Sequence, residues 1–350
     1  MVHVTLALSS VLAFVRLHKK SLLPLSFLLI ILFAVCRYQY GNDYVPYYES
    51  FIQIHNGEGS PFPKEVLFTL LNKICPSFYI LIAVTSSFFL LVIYKLIRSN
   101  IDDKFVGLAV FILLFNPYIY LVYLSAIRQS IAMALFIIAI YYSRQKKIVP
   151  YVLLVLTATL FHTSAIILLP LYFVANESKL NRTQFVILLV VVALFLFDST
   201  LLKSTVAKAL ELFDNRNYDL YFRGESGNSL RATALSAVYF LYTLINLRKL
   251  SGATLMYAKL YLIGTILALF AYHFSMLTRV QMYFDLFSVV ALPGIIKCNK
   301  EGAYGNLSRG INVYMFPILL GVIYVLRYYS FFMNPLWSSF VTYQTIWGAL

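Results

Sequence analysis

Long apolar runs dominate the chain, separated by short polar or basic segments. The runs cover roughly residues 2–15, 22–40, 76–97, 105–123, 127–143, 148–174, 184–199, 231–247, 255–274, 279–296 and 311–329. Most approach the ~20 apolar residues that a helix needs to cross a bilayer. They are continuous rather than alternating, which excludes a transmembrane β-barrel. The pattern predicts an all-α fold, a polytopic membrane helical bundle that forms a single integral membrane domain over 1–350. The run 2–15 has no basic residues ahead of it. The basic stretch Arg16–Lys20 follows, where a cleavage site needs small residues, so a retained span is expected rather than a signal peptide.

The run 148–174 is longer than one span needs, and Phe161-His162-Thr163-Ser164 interrupts it. It reads either as one tilted helix or as a hairpin of two short helices with His162 at the tip. Loop charge discriminates. The basic clusters are Arg16/Lys19/Lys20, Lys95/Arg98/Lys104, Arg144/Lys146/Lys147, Lys179/Arg182, Arg248/Lys249/Lys259 and Lys297/Lys300/Arg309. The positive-inside rule puts all of them on the cytoplasmic side. That requires 148–174 to cross twice, as a broken helical hairpin around His162. About 12 crossings follow, with the N-terminus outside. The stretch Phe331–Leu350 has no charge and reads as an interfacial segment or one more short span. The largest outer loops are 41–73 and 200–230. In the second, Leu202, Val206, Leu210 and Phe213 recur at helical spacing, which predicts an interfacial amphipathic helix.

Composition sharpens this picture. Of 350 residues, 61% are apolar, 17% aromatic and only 12% charged; mean hydropathy is +0.80. Soluble domains carry about 25% charged residues, so a soluble enzyme, a disordered chain and a disulfide scaffold are excluded. The net charge of +14 would suggest nucleic acid in a soluble protein. Here the basic clusters account for most of it, so it marks topology, and no nucleic-acid partner is expected. Three cysteines, Cys36, Cys75 and Cys298, show no metal-ligand spacing, and neither a metal nor a cofactor is expected. No internal repeat supports an inverted-repeat transporter.

Four ionisable constellations fall at the outer boundary of this topology. Arg37-Tyr38-Gln39-Tyr40-Gly41-Asn42-Asp43-Tyr44 closes the second run. It reads as an interfacial arginine in an aromatic belt, or as an anion-binding arginine and a carboxylate joined by a glycine turn. Arg128, followed by Gln129, opens an inward-running helix. Burying that charge costs on the order of 2.5–3.5 kcal/mol at a helix centre and less near an end, so it needs an ion-pair partner or a ligand. A helix N-terminus and a planar guanidinium both suit phosphate. His162 sits at the helix break, as a satisfied histidine, a hydrogen-bond donor or a general base. Arg279 opens another inward helix, with Tyr283 on its face and Asp285 near enough to pair with it. Together these could form a cavity for a dianionic, lipid-linked ligand such as a polyprenyl pyrophosphate.

The same residues resemble the EpsG/Wzy-type polysaccharide (O-antigen) polymerases. Arg37-Tyr38 through Gly41, Asp43-Tyr44 and Tyr47 is similar to that family's LRY-x-x-G-x-DY-x-x-Y signature. Ser125 with Arg128-Gln129 and Ala132 resembles S-x-x-RQ-x-x-A, and Phe161-His162 with Ser164-Ala165 resembles FH-x-SA. Arg279 with Tyr283-Phe284 resembles R-x-x-x-YF. Glu65, Phe68 and Leu71-Asn72-Lys73 resemble E-x-x-F-x-x-L-N-K. Asn42 departs from the small polar residue expected there. The resemblance implies a metal-independent glycosyltransferase of the bacterial inner membrane. Its substrate would be an undecaprenyl-pyrophosphate-linked oligosaccharide, with membrane lipids and a chain-length regulator protein as partners. The catalytic candidates are Arg128, His162, Arg279 and Asp43. Arg128 and Arg279 would hold the pyrophosphate, Asp43 would take the hydroxyl proton, and His162 would bond phosphate or hydroxyl. The substrate-binding candidates are Arg37, Tyr44, Gln129, Tyr283, Arg216, Tyr218 and Arg223. The rival readings are a flippase for the same lipid-linked unit, a ligase or acyltransferase, and a structural partner in glycan assembly.

Overall fold

The computed structural model describes residues 1–181, 183–186, 190, 229–273, 277–301 and 315–348. The chain divides into two compact units, one of Met1–Asn176 with Leu292–Leu350 and one of Glu177–Ala291. The amphipathic helix expected at 200–230, with Arg216, Tyr218 and Arg223, lies outside the described residues.

In the first unit, α1 (Val2–Phe14) and α2 (Leu23–Val35) are joined by a tight hairpin of β1 (Arg16–Leu17) and β2 (Lys20–Ser21). Two helices follow within the expected outer loop: α3 (Tyr44–His55) and α4 (Val66–Ile74). Then comes α5 (Phe78–Asn100), capped by Ser77, whose hydroxyl accepts from the Ile80 N–H at 3.4 Å. Its buried positions Leu81, Ile82, Thr85, Ser86, Phe89, Leu90, Ile93, Leu96 and Ile97 fall at helical spacing, so one stripe meets its neighbours.

The run 105–123 is not one helix. It breaks into α6 (Val106–Phe115) and α7 (Leu121–Ser125). Pro117 supplies no N–H and pushes Asn116 into extended backbone, which stops α6. A further turn at Ala126 starts α8 (Ile127–Arg144). Next, α9 (Ile148–Phe161) ends at His162, whose backbone is extended at φ −153° and ψ 112°. A 3-10 segment, Thr163–Phe173, then doubles back. Tyr151 donates to the Leu168 carbonyl at 2.6 Å, and Ser143 donates to the carbonyls of Tyr172 at 3.2 Å and Ala175 at 2.8 Å. The segment 148–174 is therefore a hairpin with His162 at its tip, and both its ends lie beside the end of α8.

Basic clusters meet through polar contacts at one end of this unit. Ser21, next to Lys19 and Lys20, donates to Asp103 at 3.1 Å; Arg98 pairs with Asp103 at 3.1 Å and Lys297 with Asp102 at 2.7 Å. At another place α14 (Phe316–Met333) leads into a 3-10 turn, Pro335–Phe340, and β4 (Gln344–Thr345). β4 pairs antiparallel with β3 (Arg37–Tyr38), and Tyr343 stacks on Phe33 at 4.4 Å while donating to its carbonyl at 2.7 Å. The stretch 331–348 is thus folded onto the end of α2 as short turns and a strand.

The second unit contains α10 (Leu230–Leu247), α11 (Gly252–Phe270) and α12 (Leu277–Asp285). α11 and α12 approach closely at Gly264, where an added Cβ would lie 2.8 Å from the Phe284 Cβ. Lys259 of α11 is buried and donates to the Ser178 carbonyl at 3.1 Å. α13 (Ser288–Glu301) follows α12 across a 49° bend. Among the described residues, four helices are long and apolar enough to cross a membrane, α5, α10, α11 and α14, or five if the bent pair is one span. The described residues do not confirm the expected count of about 12. α1, α2, α6, α9 and the 3-10 segment are apolar but have only 10–17 residues. α2 and α6 stop at Cys36 and Asn116, inside runs that read as continuous.

Candidate functional site

The first unit brings four of the five family-like motifs into one hydrogen-bonded region. Its floor is an aromatic and aliphatic core of Tyr44, Tyr47, Phe51, Phe68, Phe78, Leu81 and Ile127, contributed by α3, α4, α5 and α8. A side chain standing on so packed a floor has few alternative positions.

Glu65 is the centre of the region. Pro61 and Pro63 stiffen the approach, and Glu65 stands at the N-cap position of α4 with its side chain making no capping bond. It is buried, at 4% exposure. Its Oε2 accepts from Arg128 Nη1 at 2.5 Å. Its Oε1 lies 3.0 Å from His162 Nδ1 and accepts from the Thr163 backbone N–H at 3.3 Å. Burial alone would raise the Glu65 carboxyl, but the His162 hydrogen bond and the Arg128 charge outweigh it and hold it below the usual carboxylate range. Glu65 was therefore the missing partner that Arg128 required. Its signal in the sequence was the E-x-x-F-x-x-L-N-K pattern.

Arg128 is held from several sides. Its Nε donates to the Tyr47 hydroxyl at 3.1 Å, and its guanidinium carbon stands 3.8 Å from the centre of the Phe62 ring and 5.6 Å from that of Tyr47. These rings favour the cation and fix its plane. The side chain keeps 21% exposure, so the guanidinium is not sealed in. Gln129 is buried beside it. His162 keeps 13% exposure, and its Nε2 has no partner among the described residues.

The remaining candidates are placed as follows. Arg37 is fully buried. It donates to the Ala34 carbonyl, to Ser86 Oγ at 2.7 Å and to the Leu124 carbonyl at 3.0 Å. These bonds tie α2 to α5 and α7, so Nη1 and Nη2 serve the protein interior, while Nε is buried without a partner among the described residues. Tyr44 is likewise buried, packed edge-on to Phe78. Gly41 has φ +105°, and an added Cβ would sit 3.1 Å from Ser125 Oγ. That turn lets the Asp43 N–H donate to Ser125 Oγ at 2.9 Å, with the Asp43 side chain exposed. The first two motifs therefore meet backbone to side chain. In the second unit, Arg279 is exposed and Tyr283 is buried in α12, where Gln281 donates to Asp285 at 2.6 Å. Among the described residues no group of three or more His, Cys, Asp or Glu gathers as a metal site would.

A model of the EpsG family matches residues 20–345, nearly the whole chain. No curated protein and no solved structure matches.

Proposed function

The chain belongs to the EpsG family, and from that premise we propose that it is a polysaccharide polymerase of the bacterial inner membrane. It moves a glycan chain from undecaprenyl pyrophosphate to a sugar hydroxyl of another lipid-linked repeat unit, on the periplasmic side. The observation that carries the reading is the Glu65–Arg128–His162 cluster. Three separated segments place a cation and an imidazole on one carboxylate, which is what a transfer from a phosphate leaving group needs.

In this reading Arg128 binds the donor pyrophosphate. Its planar fork matches phosphate oxygens, and it lies at the N-terminus of α8, where the orphan N–H groups and the helix dipole favour an anion. Negative charge grows on the pyrophosphate as the glycosidic bond breaks, so a fixed cation there lowers the barrier. Arg279 is proposed, on its sequence motif alone, as a further phosphate-binding arginine. Arg216, Tyr218 and Arg223 are proposed for the acceptor sugar, where rings stack and guanidinium groups donate. Asp43 and His162 are the groups able to accept the hydroxyl proton.

The test is a null strain complemented with Arg128→Ala and, separately, Arg128→Lys. Protein level should stay normal while long-chain polymer is lost, with single repeat units still exported and attached. Wild-type chain length in Arg128→Ala would overturn the reading. Units retained unexported in the null strain would instead point to a flippase.

A further inference from the structure

We propose that Glu65 and His162 form a base dyad, with His162 Nε2 as the proton acceptor and Glu65 as the residue that fixes its tautomer. The inference rests on the polymerase reading and assigns a step that the reading left open between Asp43 and His162.

The geometry carries it. An ionised carboxylate only accepts hydrogen bonds. Glu65 Oε1 lies 3.0 Å from His162 Nδ1, so Nδ1 must carry the ring proton. The lone pair then sits on Nε2, which has no partner among the described residues. The Thr163 N–H donates to the same Oε1 at 3.3 Å, and the Arg128 guanidinium holds Oε2 at 2.5 Å. Both donors stop the carboxylate from rotating. Glu65 and Arg128 are the charged groups facing the ring, from α4 and α8. Tyr47 of α3 accepts from Arg128 Nε, and Asp43 acts electrostatically on Tyr47. His162 is also at the hairpin tip and keeps 13% exposure.

The step balances. Nε2 takes the proton of the acceptor sugar hydroxyl, whose oxygen forms the new bond to the donor's anomeric carbon. The bond from that carbon to the phosphate oxygen breaks, and the pyrophosphate leaves with the electron pair. The imidazolium is stabilised by Glu65, and its proton passes to the departing pyrophosphate or to water.

Glu65→Gln gives a sharp test because one amide oxygen replaces two carboxylate oxygens. Arg128 can only donate, so it takes the amide oxygen. The amide NH2 then faces Nδ1, which must accept, and the ring proton moves to Nε2, where it blocks the base. The experiment is nitrogen-15 NMR of labelled histidine on the full chain in lipid nanodiscs, with His162→Gln identifying the signal. The Nδ1–H tautomer is expected in the native chain and the Nε2–H tautomer in Glu65→Gln. An Nε2–H tautomer in the native chain would overturn the proposal, whatever the polymer phenotype. In the null strain, His162→Gln should lower polymer formation by about 10²–10⁴-fold at normal protein level, the range general base catalysis contributes. Full-length polymer from His162→Gln, alongside loss in Arg128→Ala, would sink the dyad and leave the polymerase reading standing. Full-length polymer from both would sink the polymerase reading itself.

Discussion

At the scale of the residue, Glu65 does most to hold the site together, and its charge makes a definite pH prediction. Its carboxyl is held below the ordinary value of 4.5. A depressed carboxyl contributes stability that is fully present above its unfolded value and lost as the pH falls through its folded one. Glu65→Gln should therefore cost about 2–3 kcal/mol at neutral pH, the worth of charged hydrogen bonds left partly unmade. The gap between native and variant should close well below pH 4.5, where the native carboxyl is itself protonated. Chemical denaturation of both forms in detergent at pH 7 and at acid pH measures this. A gap that persists unchanged at acid pH would rule out the ionised pair as its cause. Arg37 makes a different prediction. Its three acceptors are buried, so Arg37→Leu leaves them without a donor, at about 1–3 kcal/mol each. Protein level in the membrane should fall sharply, whereas a substrate-binding arginine would leave the level unchanged and lower only polymer.

The residue scale also shows what the sequence could not say. Arg128 at a helix start and His162 at a helix break were legible, because charge inside an apolar run is costly and conspicuous. Glu65 carries no such mark. It lies in a polar stretch where carboxylates are ordinary, and its partners are 63 and 97 positions away. Only the packing of α4 on α9, which brings Glu65 to Arg128 and to the hairpin tip, makes it a shared acceptor. Arg37 was conspicuous for the same reason as Arg128, yet its partners are backbone carbonyls and a serine, which carry no signal in a sequence.

At the scale of the element, the hairpin around His162 followed from loop charge, while the short helices did not follow from hydropathy. Hydropathy registers an apolar run but not the stop before Pro117 or the bend before α13. The closing segment shows a similar limit. Residues 331–348 read as either interfacial or spanning, and they fold onto the first motif. Asn42 donates to the Leu336 carbonyl at 3.0 Å and accepts from Ser339, and the Ile346 N–H donates to the Cys36 carbonyl at 3.1 Å. Removing Pro335–Leu350 should loosen β3 and the Gly41 turn while α14 stays inserted. Alkylation of Cys36 should accelerate relative to Cys298, and polymer should shorten or disappear. An unchanged Cys36 rate would show that the motif holds its shape without this strap. In the second unit, Gly264→Val should push α11 from α12 and cost about 1–3 kcal/mol, as overpacking does, read as faster proteolysis of that unit.

At the scale of the whole molecule, the +14 charge and the hairpin make one joint claim about topology. Ser143 at the end of α8 bonds Ala175 at the end of the hairpin, so the basic residues after α8 and those after the hairpin leave from one end. If positive charge gathers on the cytoplasmic side, Lys146 and Lys179 should each face the cytoplasm, and the Glu65 cluster, at the hairpin tip, should face the other way. Single cysteines in a cysteine-free chain test this directly. Lys146→Cys and Lys179→Cys, both at exposed positions, should resist a membrane-impermeant maleimide added to intact spheroplasts and react after lysis. Glu58→Cys, exposed before α4, should react from outside without lysis. Labelling of Lys179→Cys from outside, with Lys146→Cys protected, would mean that 148–174 crosses once. Every later loop would then invert, Arg279 would move to the cytoplasmic face, and a reaction on the periplasmic side could no longer use it.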